Sequence, residues 1–356
     1  MKFKNETVSS SLSSSFFSLK EEQISIGFNA MSNGQDRLAL SVARRDNVFV
    51  VVEATILILV DITALIGNIL VFAVAYRKRR RLTITDVLIV ALSLTDLLVA
   101  ISVMPLSAGA IITGVWLYHR SVCLFQGFCV ITFATASLNT LSVIAINRYF
   151  CVVKPNDYRT VFSMKRTLGY LVIVWLLACL FSVSTLLFGS EDYAFQPGKV
   201  LCVYPFEINI AYTVCLDVMF IGVPTATIVL CYWYVFKTVR EQSRIMTANG
   251  QNSATRVNVR DTNITKTLVA VVVGFALCWL PVLVMDTTDV VTGTLTLPRQ
   301  MYLFYTIMVF LSSTINPFIY AVVNKRFKRE FLKIFRLILN FREQVHMPSA
   351  RSSSQQ

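Results

Sequence analysis

The stretch FVVVEATILILVDITALIGNILVFAVAYRKRRR, residues 49–81, decides the class of this fold. Its apolar part covers residues 49–76, and the basic run Arg77–Arg81 follows directly. A bilayer core about 30 Å thick is crossed by a helix of about 20 mostly apolar residues. Basic residues beside such a helix keep that end on the cytoplasmic side. The stretch therefore predicts a membrane-spanning helix whose carboxyl end lies inside the cell.

The same pattern recurs along the chain and predicts seven spans. They cover roughly residues 49–76, 84–112, 121–153, 167–189, 208–238, 263–290 and 300–323. Basic clusters follow spans one, three, five and seven, whereas the alternate connections hold few basic residues. We therefore expect a multi-pass protein of the plasma membrane, with its amino terminus outside the cell and its carboxyl terminus in the cytoplasm.

Composition favours the same class and disfavours others. The 356 residues are 55% hydrophobic and only 15% charged, which is unusual for a soluble protein. The net charge of +13 comes from short clusters between apolar runs, a pattern that argues against a nucleic-acid partner. The eight cysteines lack the spacing of a zinc or redox site, and no nucleophile and base can be paired. We expect neither an enzyme nor a resident organic cofactor.

Three regions follow from this reading. Residues 1–45 are serine-rich and predict a disordered extracellular tail, in which Asn5 begins an Asn-Glu-Thr glycosylation acceptor. Residues 46–340 hold the seven-transmembrane helix bundle of an all-α membrane protein. Its segment 325–338 carries aromatic residues at helical spacing opposite Lys and Arg, which predicts a short amphipathic helix lying on membrane lipid. Residues 341–356 form a cytoplasmic tail.

Two cysteines stand apart from the other six. Cys123 opens span three, and Cys202 lies in the connection between spans four and five. Both would face an oxidising compartment, so we expect a disulfide between them.

Polar residues inside the spans are candidates for function because charge is costly in lipid. Asp96 falls near the middle of span two, and neutral oxygen donors of other spans, Asn68, Ser137, Ser312 and Asn316, reach a similar depth. A carboxylate among such donors suits a sodium ion, which prefers oxygen ligands. The alternative is a hydrogen-bonded knot that holds the helices together.

Proline residues weaken three of the predicted spans. Pro224, Pro281 and Pro317 lie in spans five, six and seven at mid-membrane depth. Proline removes a backbone hydrogen bond and bends a helix, so the bundle is expected to contain hinges.

Motifs in nearly every span resemble those of the rhodopsin-like, class A G-protein-coupled receptors. In the family's order they are GNILV (67–71), LSLTD (92–96), Trp116 with Cys123, NRY (147–149), Trp175, Pro224 with Tyr232, FALCWLP (275–281) and NPFIY (316–320). The resemblance covers about residues 48–335. It implies a receptor that converts the binding of an extracellular ligand into activation of a heterotrimeric G protein.

The resemblance also implies an activation switch. Its residues are Leu138, Asn147, Arg148, Tyr149, Pro224, Tyr232, Asp261, Phe275, Trp279, Pro281, Asn316, Pro317 and Tyr320. Trp279 and Phe275 would form a rotamer switch beneath the ligand. Tyr232 and Tyr320 would help to stabilise the active state.

Arg148 is the charged residue of this switch. A helical rise of about 1.5 Å per residue places Arg148 about 27 Å below Val130, at the cytoplasmic rim. Asn147 stands where the family usually has an acid, so we expect a weaker restraint on the arginine. We expect a contact between Arg148 and Asp261 at rest, which an agonist releases. The alternative is that Asp261 is an exposed loop acid.

Two positions narrow the ligand by comparison with related receptors. The position of the amine-binding aspartate is Val130, which disfavours a monoamine, and the position of the retinal lysine is Phe310, which disfavours a covalent photopigment. The NRY motif and the uncharged start of span three resemble melatonin receptors, although Pro317 departs from their usual alanine.

The ligand pocket carried over by position is largely apolar, with acids near its mouth. Its residues are Val130, Ile131, Ala134, Val203, Tyr204, Leu216, Asp217, Phe220, Trp279, Val282, Leu283, Asp286, Tyr302, Thr306 and Phe310. A small, largely apolar or indole-like ligand fits this lining. The alternatives are a basic peptide that contacts Asp286 and Asp289, and non-covalent retinal.

The partners expected at the cytoplasmic face are a G protein and arrestin. The connection between spans five and six is basic at both ends and suits the docking of a G-protein helix. Ser349, Ser352, Ser353 and Ser354 are candidate phosphorylation sites for arrestin recruitment, with a plain disordered tail as the alternative. A transporter or channel is a distant alternative, because the sequence contains no internal repeat.

Overall fold

The computed structural model describes residues 34–189, 193–204, 210–248, 256–323, 327–334 and 336. Within these ranges, seven helices are long and apolar enough to cross a membrane, which confirms the predicted all-α bundle. The glycosylation candidate Asn5 and the tail serines Ser349, Ser352, Ser353 and Ser354 lie outside the described residues.

The spans are numbered as in the sequence. Span one is Asn47–Arg77, span two is Ile84–Ser102 with Met104–Thr113, span three is Arg120–Val152 and span four is Met164–Gly189. Span five combines Ile210–Asp217, a π-helical turn Val218–Gly222 and Val223–Ala248. Span six is Arg256–Thr292 and span seven is Arg299–Val323. Shorter elements are the helix Gly34–Ala43, the turns Arg79–Arg81 and Tyr158–Val161, and the strands Ala194–Gln196 and Leu201–Val203.

Residues next to each point determine where span two begins and where its helix is interrupted. The Thr83 side chain accepts a hydrogen bond from the backbone of Asp86, and the Asp86 carboxylate accepts one from the backbone of Thr83 at 3.0 Å. This capping box satisfies backbone donors that a helix start leaves unpaired. The helix is interrupted at Val103, where Pro105 opens the second half and supplies no backbone donor.

Spans five and six extend well beyond the apolar stretches. The helix of span five ends at Ala248, and the helix of span six begins at Arg256. Most of the connection of about 20 residues predicted between them is therefore helical. The polar ends of these helices were missed because apolar periodicity marks only the part of a helix that packs or meets lipid.

Span three runs through the centre of the bundle. In an apolar stretch of 18 residues, 72% of span three is buried inside the bundle, whereas the value for span one is 22%. The exposed side of span one carries large apolar residues, including Val51, Leu59 and Ile66, as expected for a face that meets lipid. Two apolar clusters are stacked along the bundle, one beside the disulfide and one beside Arg148. We call these two ends the disulfide end and the arginine end.

The last part of the segment predicted as a polar tail is a helix, Gly34–Ala43. Its buried residues Leu38 and Val42 lie one helical turn apart and form a single apolar face. Arg37 donates a hydrogen bond to the carbonyl of Leu295 at 2.8 Å. The helix therefore packs on the disulfide end of the bundle, a contact that local composition does not reveal.

A short helix follows span seven, as predicted, over residues 327–334. Phe327 is buried and packs on Tyr320 of span seven, with ring centroids 5.6 Å apart. Its neighbour Phe331 contacts Phe327 at 6.0 Å. Part of the aromatic face therefore packs on the bundle.

Candidate functional site

A β-hairpin closes the disulfide end of the bundle. Its strands pair antiparallel, with Phe195 opposite Cys202. The Cys123–Cys202 disulfide is present, which confirms the predicted pairing. The Cys202 backbone also donates a hydrogen bond to the side chain of Gln126 at 2.9 Å. The hairpin is thus fixed to span three by one covalent and one polar contact.

The turn of this hairpin carries Lys199 into the bundle. Lys199 is 5% exposed, and its Nζ lies 2.9 Å from the Asp286 carboxylate and 3.4 Å from the Asp289 carboxylate. The ammonium also sits over the Tyr305 ring, 4.7 Å from its centroid. Thr306 donates a hydrogen bond to the Lys199 carbonyl. One loop side chain therefore contacts both span six and span seven.

The two acids are held by tyrosine hydroxyls as well. Tyr302 donates to Asp289 at 2.6 Å, and Tyr305 donates to Asp286 at 3.1 Å. The sequence indicated Asp286 and Tyr302 as pocket residues but did not identify Lys199 as their neighbour. In the sequence, Lys199 is marked only by its position shortly before Cys202. Its pairing with Asp286 spans 87 residues, and no helical or strand period connects residues so far apart.

Most of the predicted pocket residues lie in or against two apolar clusters. Val203, Val282, Tyr302 and Phe310 belong to the apolar cluster of the disulfide end, with Val130 and Trp279 packed against it. Ile131, Tyr204 and Phe220 belong to a smaller cluster. Thr306 is buried, and Ala134 and Asp286 are half-buried. Leu283 is 48% exposed and is not brought into these clusters, and the side chains of Leu216 and Asp217 lie outside the described part.

The hairpin itself takes up part of this predicted pocket. Val200 and Leu201 are 2% and 0% exposed and belong to the same apolar cluster as Val282 and Tyr302. A separate cavity of about 520 Å³ lies between the helix Gly34–Ala43 and the start of span seven.

At mid-depth, Asp96 is 2% exposed and accepts a hydrogen bond from Asn316 at 2.8 Å. Ser313, which the sequence did not single out, is a second hydrogen-bond partner. The other two predicted sodium ligands bond elsewhere. Ser137 pairs with Thr95 at 2.7 Å, and Ser312 donates to its own helix.

The surroundings of Asp96 fit a small cation. The buried side-chain oxygens of Asn316 and Asn68 have no hydrogen-bond partner among the described residues. Buried carbonyl oxygens without a donor are costly unless a donor or a cation satisfies them. Together with the carboxylate, they offer the oxygen ligands that sodium prefers.

Arg148 is buried at the arginine end, being 3% exposed. Its guanidinium donates to Thr85 at 2.6 Å and to Asn147 at 2.5 Å. Asn147 donates to the Tyr158 hydroxyl at 3.2 Å. All these partners are neutral, as expected from the missing acid. Asp261 lies in span six, but its side chain is outside the described part, so its contact with Arg148 stays a prediction.

The remaining switch residues lie between the two ends. The rings of Phe275 and Trp279 stack with centroids 5.6 Å apart. Trp279 packs on the cluster of the disulfide end, whereas Phe275 packs on the cluster of the arginine end with Leu138, Tyr232 and Tyr320. This stacked pair is a direct contact between the two apolar clusters.

The other positions of the predicted switch are placed as follows. Pro224 and Pro317 are buried in spans five and seven, Pro281 is half-buried in span six, and Tyr149 packs edge to face on Tyr234 of span five at 5.9 Å. The hydroxyls of Tyr232 and Tyr320 are buried and have no hydrogen-bond partner among the described residues.

Comparison with known proteins gives the family. Residues 67–320 match the family described as 7 transmembrane receptor (rhodopsin family). The chain is 27% identical to melatonin receptor type 1A of Ovis aries, over 79% of this chain and 76% of that receptor. It is 26% identical to melatonin receptor type 1B-B of Danio rerio, over 89% and 91%. It is 28% identical to 5-hydroxytryptamine receptor 4 of Homo sapiens, over 80% and 79%. The protein is therefore a multi-pass membrane receptor and not an enzyme: it belongs to the rhodopsin family of seven-transmembrane, G-protein-coupled receptors.

Proposed function

We propose that this receptor binds a small, largely apolar or indole-like ligand at its disulfide end and activates a heterotrimeric G protein at its arginine end. The observation that carries the proposal is the Phe275–Trp279 stack, which connects the apolar clusters of the two ends. A ligand that moves Trp279 would change the packing at both ends.

The orientation in the membrane is part of the proposal. Basic clusters follow spans one, three, five and seven, which favours a cytoplasmic location for the arginine end. The disulfide end then faces the outside of a cell at the plasma membrane, where a disulfide persists. The amino-terminal tail with its glycosylation candidate Asn5 would lie on the same side.

The chemistry of the disulfide end supports a ligand that is mostly apolar. Val130 and Phe310 offer no charge, and they lie with Val282 in or against one apolar cluster. A basic peptide has less support, because Asp286 is already paired with Lys199. Relatives of this chain include receptors named for melatonin and for 5-hydroxytryptamine, which both contain an indole.

Signal transfer would use span six as a lever. Pro281 lies inside this helix, close to Trp279, where the missing backbone hydrogen bond permits bending. Movement of the inner part of span six would uncover Arg148 and the rim on which a G-protein helix docks.

The test is nucleotide exchange on purified heterotrimeric G proteins of several classes by the receptor in lipid nanodiscs. We expect exchange above the receptor-free rate with an indole-containing ligand library, and a loss of roughly tenfold or more in Arg148→Ala. Arg80→Ala, which removes an exposed arginine at the same end, should leave exchange unchanged. Solute flux in vesicles without any exchange on a G protein would contradict the proposal.

We also propose that a sodium ion stabilises the resting receptor at Asp96. Asp96 and Asn316 would hold the ion with Ser137 and Ser312, after these two hydroxyls turn from their present partners. When bound, sodium would neutralise the buried carboxylate.

Thermal unfolding in sodium chloride and in choline chloride tests this site. We expect a higher unfolding temperature in sodium, and no such difference in Asp96→Asn. The matched control is Asp61→Asn, which removes another acid from the spans and should keep the sodium effect. A sodium effect that survives Asp96→Asn would disprove the site.

A further inference from the structure

We propose that Asp286 and Asp289 form an organic-ammonium site whose resident occupant is Lys199, and that this internal occupant holds the receptor in its resting arrangement. The inference rests on the proposed function, because the resting arrangement is defined by its effect on a G protein. It assigns the polar side of the pocket to a primary ammonium that the chain itself supplies.

The site has the chemistry of an ammonium site on every side. A primary ammonium has three hydrogen-bond donors and no acceptor. Two carboxylates, one helical turn apart on span six, lie 2.9 Å and 3.4 Å from the Lys199 nitrogen. The faces of Tyr305 and Tyr302 lie 4.7 Å and 5.7 Å away and add a cation–π attraction. The Lys199 side chain is only 6% exposed, so water screens these contacts weakly.

The backbone of the hairpin turn is shaped to place this lysine. A Cβ on Gly198 would come within 3.0 Å of Leu38 and 3.1 Å of Tyr302, so a larger residue would push the turn away. Val200 has a φ of 52°, in the left-handed region that β-branched residues rarely adopt. Such a conformation persists only where the surrounding contacts impose it. The turn is therefore held in an unfavourable shape that keeps Lys199 pointing at the acids.

The hairpin that carries the occupant connects three spans. The hairpin is fixed to span three by the Cys123–Cys202 disulfide, and Lys199 joins it to span six. Thr306 of span seven donates to the Lys199 carbonyl. Span six continues from Asp286 to its start at Arg256 for about 45 Å of helix, so a small tilt at Asp286 becomes a larger movement at the arginine end. Restraint at the ammonium therefore fixes the part of span six beyond Pro281, against which the inner part of the helix bends.

Removing the Lys199 ammonium leaves repulsion between two carboxylates where a cation had attracted both. Asp286 and Asp289 would then face each other as two carboxylates without a cation, and Asp289 is only 2% exposed. Like charges in a partly buried site repel strongly. The attraction between the hairpin and span six would be lost, and the hairpin would no longer restrain this helix.

The decisive experiment is chemical rescue of Lys199→Ala, with exchange on a G protein as the readout. The variant should show basal exchange raised by roughly fivefold or more. n-Propylamine, which replaces the missing part of the side chain, should return exchange toward the wild-type value, whereas 1-propanol should not. The wild-type receptor should not respond to n-propylamine, because Lys199 already fills the site. In Lys199→Ala with Asp289→Asn the rescue should be lost.

Lys199→Met provides a second variant that keeps the length of the side chain. It should also raise basal exchange, and n-propylamine should not reverse it because the methionine fills the space. Glu53→Gln is the matched control, since it breaks a buried ion cluster of the disulfide end that does not include span six. It should leave basal exchange unchanged.

Basal exchange at the wild-type value in both Lys199 variants would overturn the inference, as would equal rescue by 1-propanol. Thr85→Val removes one hydrogen-bond partner of Arg148 at the other end. It distinguishes a failure of the ammonium site from a failure of the proposed function. If Thr85→Val raises exchange and the Lys199 variants do not, the ammonium site is wrong and the receptor function stands. If none of these variants raises basal exchange, the ammonium site is wrong; if the wild-type receptor also gives no exchange with any ligand of the library, the proposed function is wrong as well.

Discussion

The disulfide end and the arginine end of the bundle are held closed by different kinds of contact. At the disulfide end, a covalent bond and two buried ion clusters tie the loops to the spans. At the arginine end, Arg148 is held by the neutral side chains of Thr85 and Asn147. A hydrogen bond to a charged group contributes about 1.5–3 kcal/mol, whereas breaking a buried ion pair costs about 3–5 kcal/mol. The arginine end is therefore the easier one to open.

Polar groups left unpaired at the arginine end strengthen this contrast. The Arg148 Nε and the hydroxyls of Tyr232 and Tyr320 are buried and have no hydrogen-bond partner within the described ranges. Each such group raises the free energy of the resting state until a rearrangement supplies a partner. The closed arrangement there therefore contains buried polar groups that a rearrangement can satisfy.

The largest effect should come from breaking the covalent link. Cys123→Ser should lower the free energy of unfolding by about 2–5 kcal/mol and release the hairpin from span three. The measurement is thermal unfolding of the purified receptor, with Cys215→Ser as the control because Cys215 is a free, exposed cysteine. Equal unfolding temperatures for the two variants would contradict the assigned role of the hairpin.

Glu53→Gln tests the ion cluster that joins span one to span seven. Glu53 lies 2.7 Å from Arg45 and 2.6 Å from Arg299, and its loss leaves two buried guanidinium groups without their acid. We expect a cost of about 3 kcal/mol in thermal unfolding. A cost below about 1 kcal/mol, the usual value of a surface pair, would show that this cluster does not stabilise the disulfide end.

Thr85→Val tests the weaker end. It removes one neutral partner of Arg148, which should destabilise the resting state by about 1–2 kcal/mol and raise basal exchange on a G protein. Asn147→Asp should act in the opposite direction, since a carboxylate would restrain Arg148 more strongly. Thr63→Val, which removes an exposed hydroxyl that bonds within its own helix, is the control. Lower basal exchange in Thr85→Val than in the wild type would contradict the conclusion that the arginine end is the easier one to open.

The smallest effect is expected for the ion cluster of Glu330, which lies near the arginine end. Its hydrogen bond to Lys333 lowers the pKa of Glu330 below its usual value. A lowered carboxyl pKa stabilises the fold above the unfolded pKa of about 4.3, and this contribution is lost as the pH falls through the lowered value. Glu330→Gln should therefore change the unfolding temperature slightly at pH 7, and this change should disappear as the pH falls below the lowered pKa. A large change at pH 7 would show that this end also depends on ion pairs.

The sequence predicted the part of the fold that depends on local pattern. Each span is an apolar run of sufficient length, and the polar residues Asp96 and Asn316 were expected to meet at similar depth and do so. The capping box at Thr83 and the break at Val103 are also local, although they need attention to single residues rather than to hydropathy.

The contacts of the loops could not be predicted in this way. Lys199 meets Asp286 across 87 positions, and Arg299 meets Glu53 across 246, so no helical or strand period connects these residues. Arg148 was expected at the rim, where a charge meets water. It is buried instead, with its guanidinium bonded to Thr85 and Asn147. Tertiary packing, and not sequence pattern, decides these positions.

The helix Gly34–Ala43 has a consequence for kinetics. Leu38 lies against the turn of the hairpin, and Arg37 holds the connection before span seven, so this helix covers the approach to the pocket from the aqueous side. Under the proposed function, a ligand that arrives from water would reach the pocket only when this cover lifts. Its association rate is then set by how often the cover opens, and diffusion of the molecule matters less.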